Sequence, residues 1–95
     1  MKLIQPTDFD ILRALNKHGR NVAPNLAIQL DQDRDYLNTR MPYLLDYGLV
    51  EKIGPAKKSG LYEITARGQA ALGCRNQYDE LTSEDFGDLV DQKFK

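Results

Sequence analysis

Residues 48–65, GLVEKIGPAKKSGLYEIT, decide the fold because they indicate a strand, a short basic loop and a second strand. The predicted strands cover residues 49–53 and 60–64. An amphipathic helix over residues 34–47 leads directly into the first strand, and another helix over residues 66–72 follows the second. The stretch therefore predicts a two-stranded ribbon with a lysine-bearing tip, set between two helices.

Local signals mark where the helices begin and end. Gly19 ends the first helix as a left-handed cap, and Pro24 stands in the first turn of a short second helix. Asp33 is the best N-cap for the third helix, and Thr65 is the cap of the fourth. Pro42 lies inside the third helix, where its missing N–H predicts a kink, but not a break.

These elements predict a mainly α chain with a small β-hairpin, of the α+β class. Three helices followed by a basic ribbon form the layout of a winged helix-turn-helix domain, which we assign to residues 1–74. Residues 75–82 are polar and are predicted to be a linker. Residues 83–95 are predicted to be a short acidic amphipathic helix.

Four apolar residues recur at helical spacing in that last segment: Phe86, Leu89, Val90 and Phe94. We predict that they pack against a second copy of the chain and so form the interface of a homodimer. Two alternatives remain open for this segment. The helix can fold back on its own domain, or the segment can be a loosely ordered tail.

Composition narrows the class of protein. The 95 residues allow one domain, and 41% hydrophobic with 28% charged residues is ordinary for a soluble chain. Residues 1–75 carry 11 Lys/Arg against 8 Asp/Glu, whereas residues 76–95 carry 2 against 6. No apolar run approaches the roughly 18 residues of a membrane span, the N-terminus does not resemble a signal peptide, and there is one cysteine. We therefore expect a cytoplasmic protein with a mildly basic body.

Several kinds of site are not indicated. The chain has one His and one Cys and no phosphate-binding glycine loop, so we expect neither an enzyme nor a cofactor. Asp31, Asp33 and Asp35 have the spacing of half a calcium loop but lack its Gly and distal Glu, so helix capping is the better interpretation and no metal is expected. Cys74 is predicted to be a small packing residue. No pocket for a small-molecule effector is evident.

Three segments carry a resemblance to a known family. They are DxxILxxLxxHG at residues 8–19, YLNTRMPYLLDYGLV at residues 36–50 and IGPAKKSGLYEIT at residues 53–65. Over residues 5–73 the chain resembles the archaeal winged-helix regulators related to the repressor of the halobacterial phage phi-H, a MarR-like group. The resemblance implies a transcriptional regulator, in most cases a repressor, that binds double-stranded DNA as a homodimer.

The resemblance also implies which residues meet DNA. The third helix is expected in the major groove with these residues at or beside it: Arg34, Asp35, Tyr36, Asn38, Thr39, Arg40 and Tyr43. The wing is expected on the DNA backbone with Lys57, Lys58 and Ser59. These residue types suit the task, because Asn can bond adenine, Thr can touch a thymine methyl and Arg can pair with phosphate.

Two other interpretations of the third helix stay open. Its polar residues can simply be the solvated face of a surface helix. Alternatively, the domain is a protein–protein interaction module or adaptor that does not bind DNA. The acidic start of the helix, Asp31-Gln-Asp-Arg-Asp, favours the second interpretation, because it places three carboxylates beside the expected phosphate path.

Overall fold

The computed structural model describes residues 1–54 and 60–94. The elements follow one another as α1 (Thr7–His18), β1 (Asn21–Val22), α2 (Ala23–Leu30), α3 (Arg34–Asp46), β2 (Val50–Ile53), β3 (Leu61–Ile64), α4 (Ala66–Gly73), a 3₁₀ segment (Arg75–Glu80) and α5 (Ser83–Phe94). The chain is thus mainly helical with a small antiparallel sheet, which confirms the predicted α+β class.

The sheet has three strands in the order β1-β3-β2, all antiparallel. Val50 pairs with Ile64 and Ile53 with Leu61, as the predicted ribbon requires. The third strand, β1, pairs Asn21 with Tyr62 and was not among the predicted strands. Two residues are too short for an alternating pattern, so the pairing becomes visible only in the fold.

The predicted caps are confirmed where side chains make them. The Asp33 carboxylate accepts hydrogen bonds from the backbone N–H of Asp35 at 2.7 Å and of Tyr36 at 3.2 Å, so it fixes the first turn of α3. The Thr65 hydroxyl accepts from the N–H of Gly68 at 3.0 Å. Helix α3 continues through Pro42 without a break, as predicted.

Gly19 ends α1 as predicted, and its N–H donates to the carbonyl of Leu15. Its φ is 83°, but its ψ of −169° lies outside the left-handed helical region, so the predicted cap geometry is wrong in that detail.

One core joins the helices and the sheet. Fully or almost fully buried side chains come from α1, α2, α3, α5 and the segments between them; the largest are Phe9, Ile11, Leu12, Leu15, Leu26, Leu37, Met41, Leu44, Leu49, Phe86 and Val90. Cys74 is buried among them, as its predicted packing role requires.

The C-terminal segment packs into this core. This placement corrects the predicted dimer interface and the predicted linker over residues 75–82. Phe86 and Val90 are 0% exposed, so they are not available to a second copy of the chain. Leu89 is partly buried against the same core, and Phe94 remains 49% exposed. The interpretation in which the helix folds back on its own domain therefore describes α5.

Aromatic packing explains why the segment before α5 is not a free linker. The Tyr78 ring lies edge-to-face with Phe86 at 4.8 Å and with Phe9 at 5.5 Å between centroids. Its hydroxyl accepts from the N–H of Leu3 and donates to the Leu3 carbonyl, both at 2.8 Å. Because residues 75–82 are mostly polar, the sequence predicted a linker there and did not indicate that Tyr78 packs against the core.

Candidate nucleic-acid interface

The outer face of α3 gathers most of the residues predicted to contact DNA. Leu37, Met41 and Leu44 face the core with at most 1% exposure, so the opposite side of the helix faces solvent. Six of the seven predicted residues on this helix are exposed: Arg34, Asp35, Tyr36, Asn38, Thr39 and Tyr43. The 3.6-residue period of the helix is the reason they lie together, because positions three and four apart share a face.

Arg40 is the exception, because its guanidinium binds a buried carboxylate. Its Nε donates to Oδ1 of Asp8 at 3.0 Å and its Nη2 to Oδ2 at 2.8 Å. Asp8 is 0% exposed and also accepts from the N–H of Ile4 at 2.7 Å. The hydrogen bonds that Arg40 donates to Asp8 raise the pKa of Arg40 above its ordinary value. This geometry corrects the expectation that Arg40 reaches a phosphate, since its charge is neutralised inside the protein.

Arg40 also stacks on the ring of Tyr43, with the guanidinium carbon 4.5 Å from the ring centroid. Tyr43 itself is 51% exposed. Within the described ranges its hydroxyl makes no hydrogen bond, so the donor is available to a ligand. The buried pair therefore supports an exposed aromatic side chain on the outer face of α3.

Thr39 presents a defined chemistry. Its hydroxyl donates to the carbonyl of Tyr36 at 2.6 Å, which commits its only hydrogen. Thr39 consequently offers a methyl group and an acceptor oxygen, but no donor. A methyl group is what a thymine C5-methyl contacts in a major groove.

The acidic start of α3 is exposed at Asp31, Asp33 and Asp35. The local backbone structure accounts for two of these three carboxylates. Asp33 is the N-cap, and Asp31 has φ 52° and ψ 48°, the left-handed conformation that Asp tolerates better than most residues. Across residues 1–54 and 60–94, no cluster of His, Cys, Asp and Glu is suited to hold a metal ion.

A hollow of about 370 Å³ lies where the start of α3 meets the sheet; we call it the sheet-side hollow. It is lined by Val22, Ala23, Pro24, Arg34, Asn38, Gly60 and Tyr62. Burial raises the pKa of Tyr62 above its ordinary value. Among the described residues Arg34 has no carboxylate partner, and its charge is available beside the hollow.

Lys52 is a further exposed basic residue beside the sheet-side hollow, and the sequence interpretation did not single it out. It is exposed on β2, pairs across the sheet with Tyr62, and holds its Nζ 5.8 Å from the Tyr62 ring centroid. The ammonium group therefore lies near the sheet-side hollow.

A second hollow, of about 230 Å³, lies on the opposite flank of α3; we call it the N-terminal hollow. Its lining comprises Lys2, Ile4, Arg40, Tyr43 and Tyr47. The Tyr47 hydroxyl accepts from the N–H of Lys2 at 3.2 Å and donates to the Lys2 carbonyl at 3.1 Å. These bonds hold the N-terminal segment against α3. No local pattern in the sequence predicted this contact.

The remaining predicted contacts, Lys57, Lys58 and Ser59, lie outside the described residues. Of the helices in the described part of the chain, none has the length and apolar character needed to cross a membrane. Comparison of the sequence and structure with protein-family models, curated proteins and solved structures yields no match.

Proposed function

We propose that this chain is a winged helix-turn-helix protein that binds double-stranded DNA and regulates transcription, as a repressor. One observation carries the proposal: α3 exposes six of the seven residues predicted to contact DNA, beside a small antiparallel sheet whose β2–β3 connection is basic in sequence. In this arrangement α3 enters the major groove, and the β2–β3 connection, as the wing, follows the backbone.

The dimensions and the chemistry of α3 support the first contact. The helix has 13 residues, about 20 Å of length, and a major groove about 12 Å wide admits an α-helix. Asn38 offers the amide that can bond adenine through both of its polar atoms, and Thr39 offers a methyl group to thymine. These two residues are proposed to read sequence, whereas Arg34 and Lys52 are proposed to hold phosphates.

Electrostatics predict modest affinity. The Asp33 carboxylate lies at the positive end of the helix dipole and accepts two N–H groups, which partly offsets its repulsion of phosphates. Asp31 and Asp35 remain exposed near Arg34. Binding to mixed-sequence DNA is therefore expected in the micromolar range or weaker and to fall steeply with salt.

Regulation of a gene from a short operator is proposed to use a homodimer, in which a two-fold axis sets two copies of α3 about one DNA turn apart. On α5, Phe94 and Leu89 are the apolar residues left at or near the surface for such a contact. A cytoplasmic location is part of the same proposal, because that is where a regulator of this kind meets DNA.

The proposal is tested by fluorescence anisotropy of a labelled mixed-sequence duplex across a salt series. Arg34→Gln is expected to reduce the slope of log K against log salt by about 0.9, the value for one lost phosphate contact. Arg13→Gln is the matched control: it removes the same charge from α1, away from α3, and is expected to leave the slope unchanged. Equal slopes in both variants, or no binding at low salt, would contradict the proposal.

Sequence reading by Asn38 needs a separate measurement. Selection of duplexes from a random pool by wild type and by Asn38→Ala should yield different preferred sequences, with wild type favouring adenine at one position in each half-site. Identical selected sequences would show that Asn38 does not read a base.

A second candidate function is a protein-interaction module. It is favoured by Ile28, which is 81% exposed and lines a hollow together with Asp31 and Gln32. An exposed apolar residue beside the Asp31 carboxylate suits a basic protein segment, although Arg34 lines the same hollow. Calorimetric titration with an arginine-rich peptide, with Ile28→Ser as the comparison variant, tests this candidate. Peptide binding that Ile28→Ser weakens, in a chain that does not bind DNA, would favour it over the first proposal.

A further inference from the structure

The N-terminal hollow differs in charge from the start of α3. Its lining contains two basic residues, Lys2 and Arg40, together with Ile4 and two tyrosines, and no carboxylate lines it within the described chain. The start of α3, by contrast, exposes three carboxylates. An anion in the hollow therefore meets no carboxylate of its lining.

Of the two basic residues that line the hollow, Lys2 is the one whose charge is not bound to a carboxylate within the described chain. Arg40 already makes two hydrogen bonds to the buried carboxylate of Asp8, and its side chain is only 12% exposed. Lys2 is exposed, and its side chain forms no ion pair among residues 1–54 and 60–94. Its backbone is held in place because both its N–H and its carbonyl bond the Tyr47 hydroxyl.

The available hydroxyl belongs to Tyr43. The Tyr47 hydroxyl is occupied by Lys2, whereas that of Tyr43 has no hydrogen-bond partner in the described part of the chain. The guanidinium of Arg40 covers one face of the Tyr43 ring, and Asp8 fixes that guanidinium from inside. The ring orientation is thus set by a chain of contacts that begins in the core.

Tyr43 also connects the hollow to the outer face of α3. It lies four residues after Thr39, and both side chains are exposed. Residues four apart are neighbours on a helix surface, so a duplex lying along α3 meets Tyr43 and the hollow without leaving the helix. A lysine and a neutral hydroxyl donor are ordinary contacts for a DNA phosphate.

We propose that the N-terminal hollow binds one backbone phosphate of the DNA, with Lys2 supplying the charge and Tyr43 a neutral hydrogen bond. Asp8 and Arg40 act as positioning residues that hold the Tyr43 ring. This inference rests on the proposed DNA-binding function. It adds the N-terminal segment to the DNA-contacting surface and gives Arg40 a role other than the direct contact first expected.

The test uses the full chain and a labelled mixed-sequence duplex in the anisotropy salt series. Lys2→Gln is expected to reduce the salt slope by about 0.9, because one phosphate contact is lost. Tyr43→Phe is expected to weaken binding about threefold to tenfold at an unchanged slope, because the lost donor is neutral. Lys17→Gln, on α1, removes an equal charge elsewhere and should leave the slope unchanged.

The positioning role of Arg40 is tested by Arg40→Lys, which keeps the charge but loses the planar two-point contact with Asp8. Weaker binding at an unchanged slope is expected, with no further loss when Tyr43→Phe is added to it, since both changes remove the same contact. Thermal unfolding of each variant establishes that it is folded at the assay temperature. If Arg40→Lys does not fold, Lys2→Gln and Tyr43→Phe still decide the proposal, because both residues are exposed.

Three results would overturn the inference. Wild-type slope in Lys2→Gln would exclude the phosphate from the hollow, and unchanged affinity in Tyr43→Phe would exclude the hydroxyl contact. A slope reduced by about 0.9 in a folded Arg40→Gln would show that Arg40 itself carries the phosphate charge. In each case a reduced slope in Arg34→Gln would leave the proposed function standing, whereas no binding by wild type would overturn both.

Discussion

Helices α3 and α5 have almost the same length, 13 and 12 residues, and each has an apolar and a polar face. The chain uses them differently. The apolar side of α5 is buried in the core of the same chain through Phe86 and Val90, and its polar side is acidic. The outer side of α3 combines an amide, hydroxyls and a guanidinium between two hollows. Helical periodicity thus shows that a face is buried, but not what buries it.

The largest expected effect tests whether α5 is part of the core. Phe86→Ala should lower the free energy of unfolding by about 3–5 kcal/mol, because it empties a fully buried ring site between Phe9 and Tyr78. Phe94→Ala, on the half-exposed end of α5, is the control and should cost less than about 1 kcal/mol. Urea unfolding measures both. Nearly equal losses of unfolding free energy in the two variants would mean that α5 is not part of the core.

A comparable effect is expected from the ion pair that ties α1 to α3. Asp8→Ala leaves the guanidinium of Arg40 buried without its partner, and breaking a buried pair in this way costs about 3–5 kcal/mol. The raised pKa of Arg40 keeps its contribution at full strength below the ordinary arginine pKa, so the loss should be the same throughout the neutral range. Urea unfolding at two neutral pH values checks this, and a loss under 1 kcal/mol would contradict it.

Substitutions of Asp33, at the start of α3, are expected to affect stability and DNA affinity differently. Asp33→Ala removes a cap and should cost about 1 kcal/mol, whereas Asp33→Asn keeps a good capping group and should cost little. Both variants remove a negative charge from the proposed phosphate path, so both should bind mixed-sequence DNA more tightly than wild type. Thermal unfolding and anisotropy together check the pair. Weaker DNA binding by Asp33→Asn would mean that the phosphates do not pass near Asp33.

The smallest effect is expected from the ion pair that ties α4 to α5. Arg67 and Asp91 bond each other, but their side chains are 27% and 47% exposed. Asp91→Asn should therefore lower the free energy of unfolding by less than about 1 kcal/mol. A loss as large as that of Asp8→Ala would mean that burial does not account for the difference between the two pairs.

Local signals in the sequence predicted the local structure well. The caps at Asp33 and Thr65, the bounds of α3 and the β2–β3 pairing each depend on residues within a few positions of one another. The same locality explains why the amphipathic character of α3 was predicted, since Leu37, Met41 and Leu44 are buried on one side of it. Capping, turn chemistry and periodicity are all short-range effects.

Apart from the cap geometry at Gly19, the errors involve residues far apart in the chain. Asp8 and Arg40 are separated by 32 positions, and Leu3 and Tyr78 by 75. Asp8 lies in the first turn of α1, where a carboxylate suits the helix dipole, and no nearby residue indicates that it is buried against α3. Lys2 carried no signal at all, since its place in the N-terminal hollow depends on Tyr47. Such contacts require the fold before they can be seen.

The central claim is that DNA lies along α3, and amide proton–nitrogen NMR tests it most directly. Titration of the labelled protein with a mixed-sequence duplex at low salt should shift amide signals of residues 34–41 and 43, of Lys52 and Tyr62, and of Lys2, while those of α5 stay in place. Shifts confined to α5, or no shifts at all, would contradict the account.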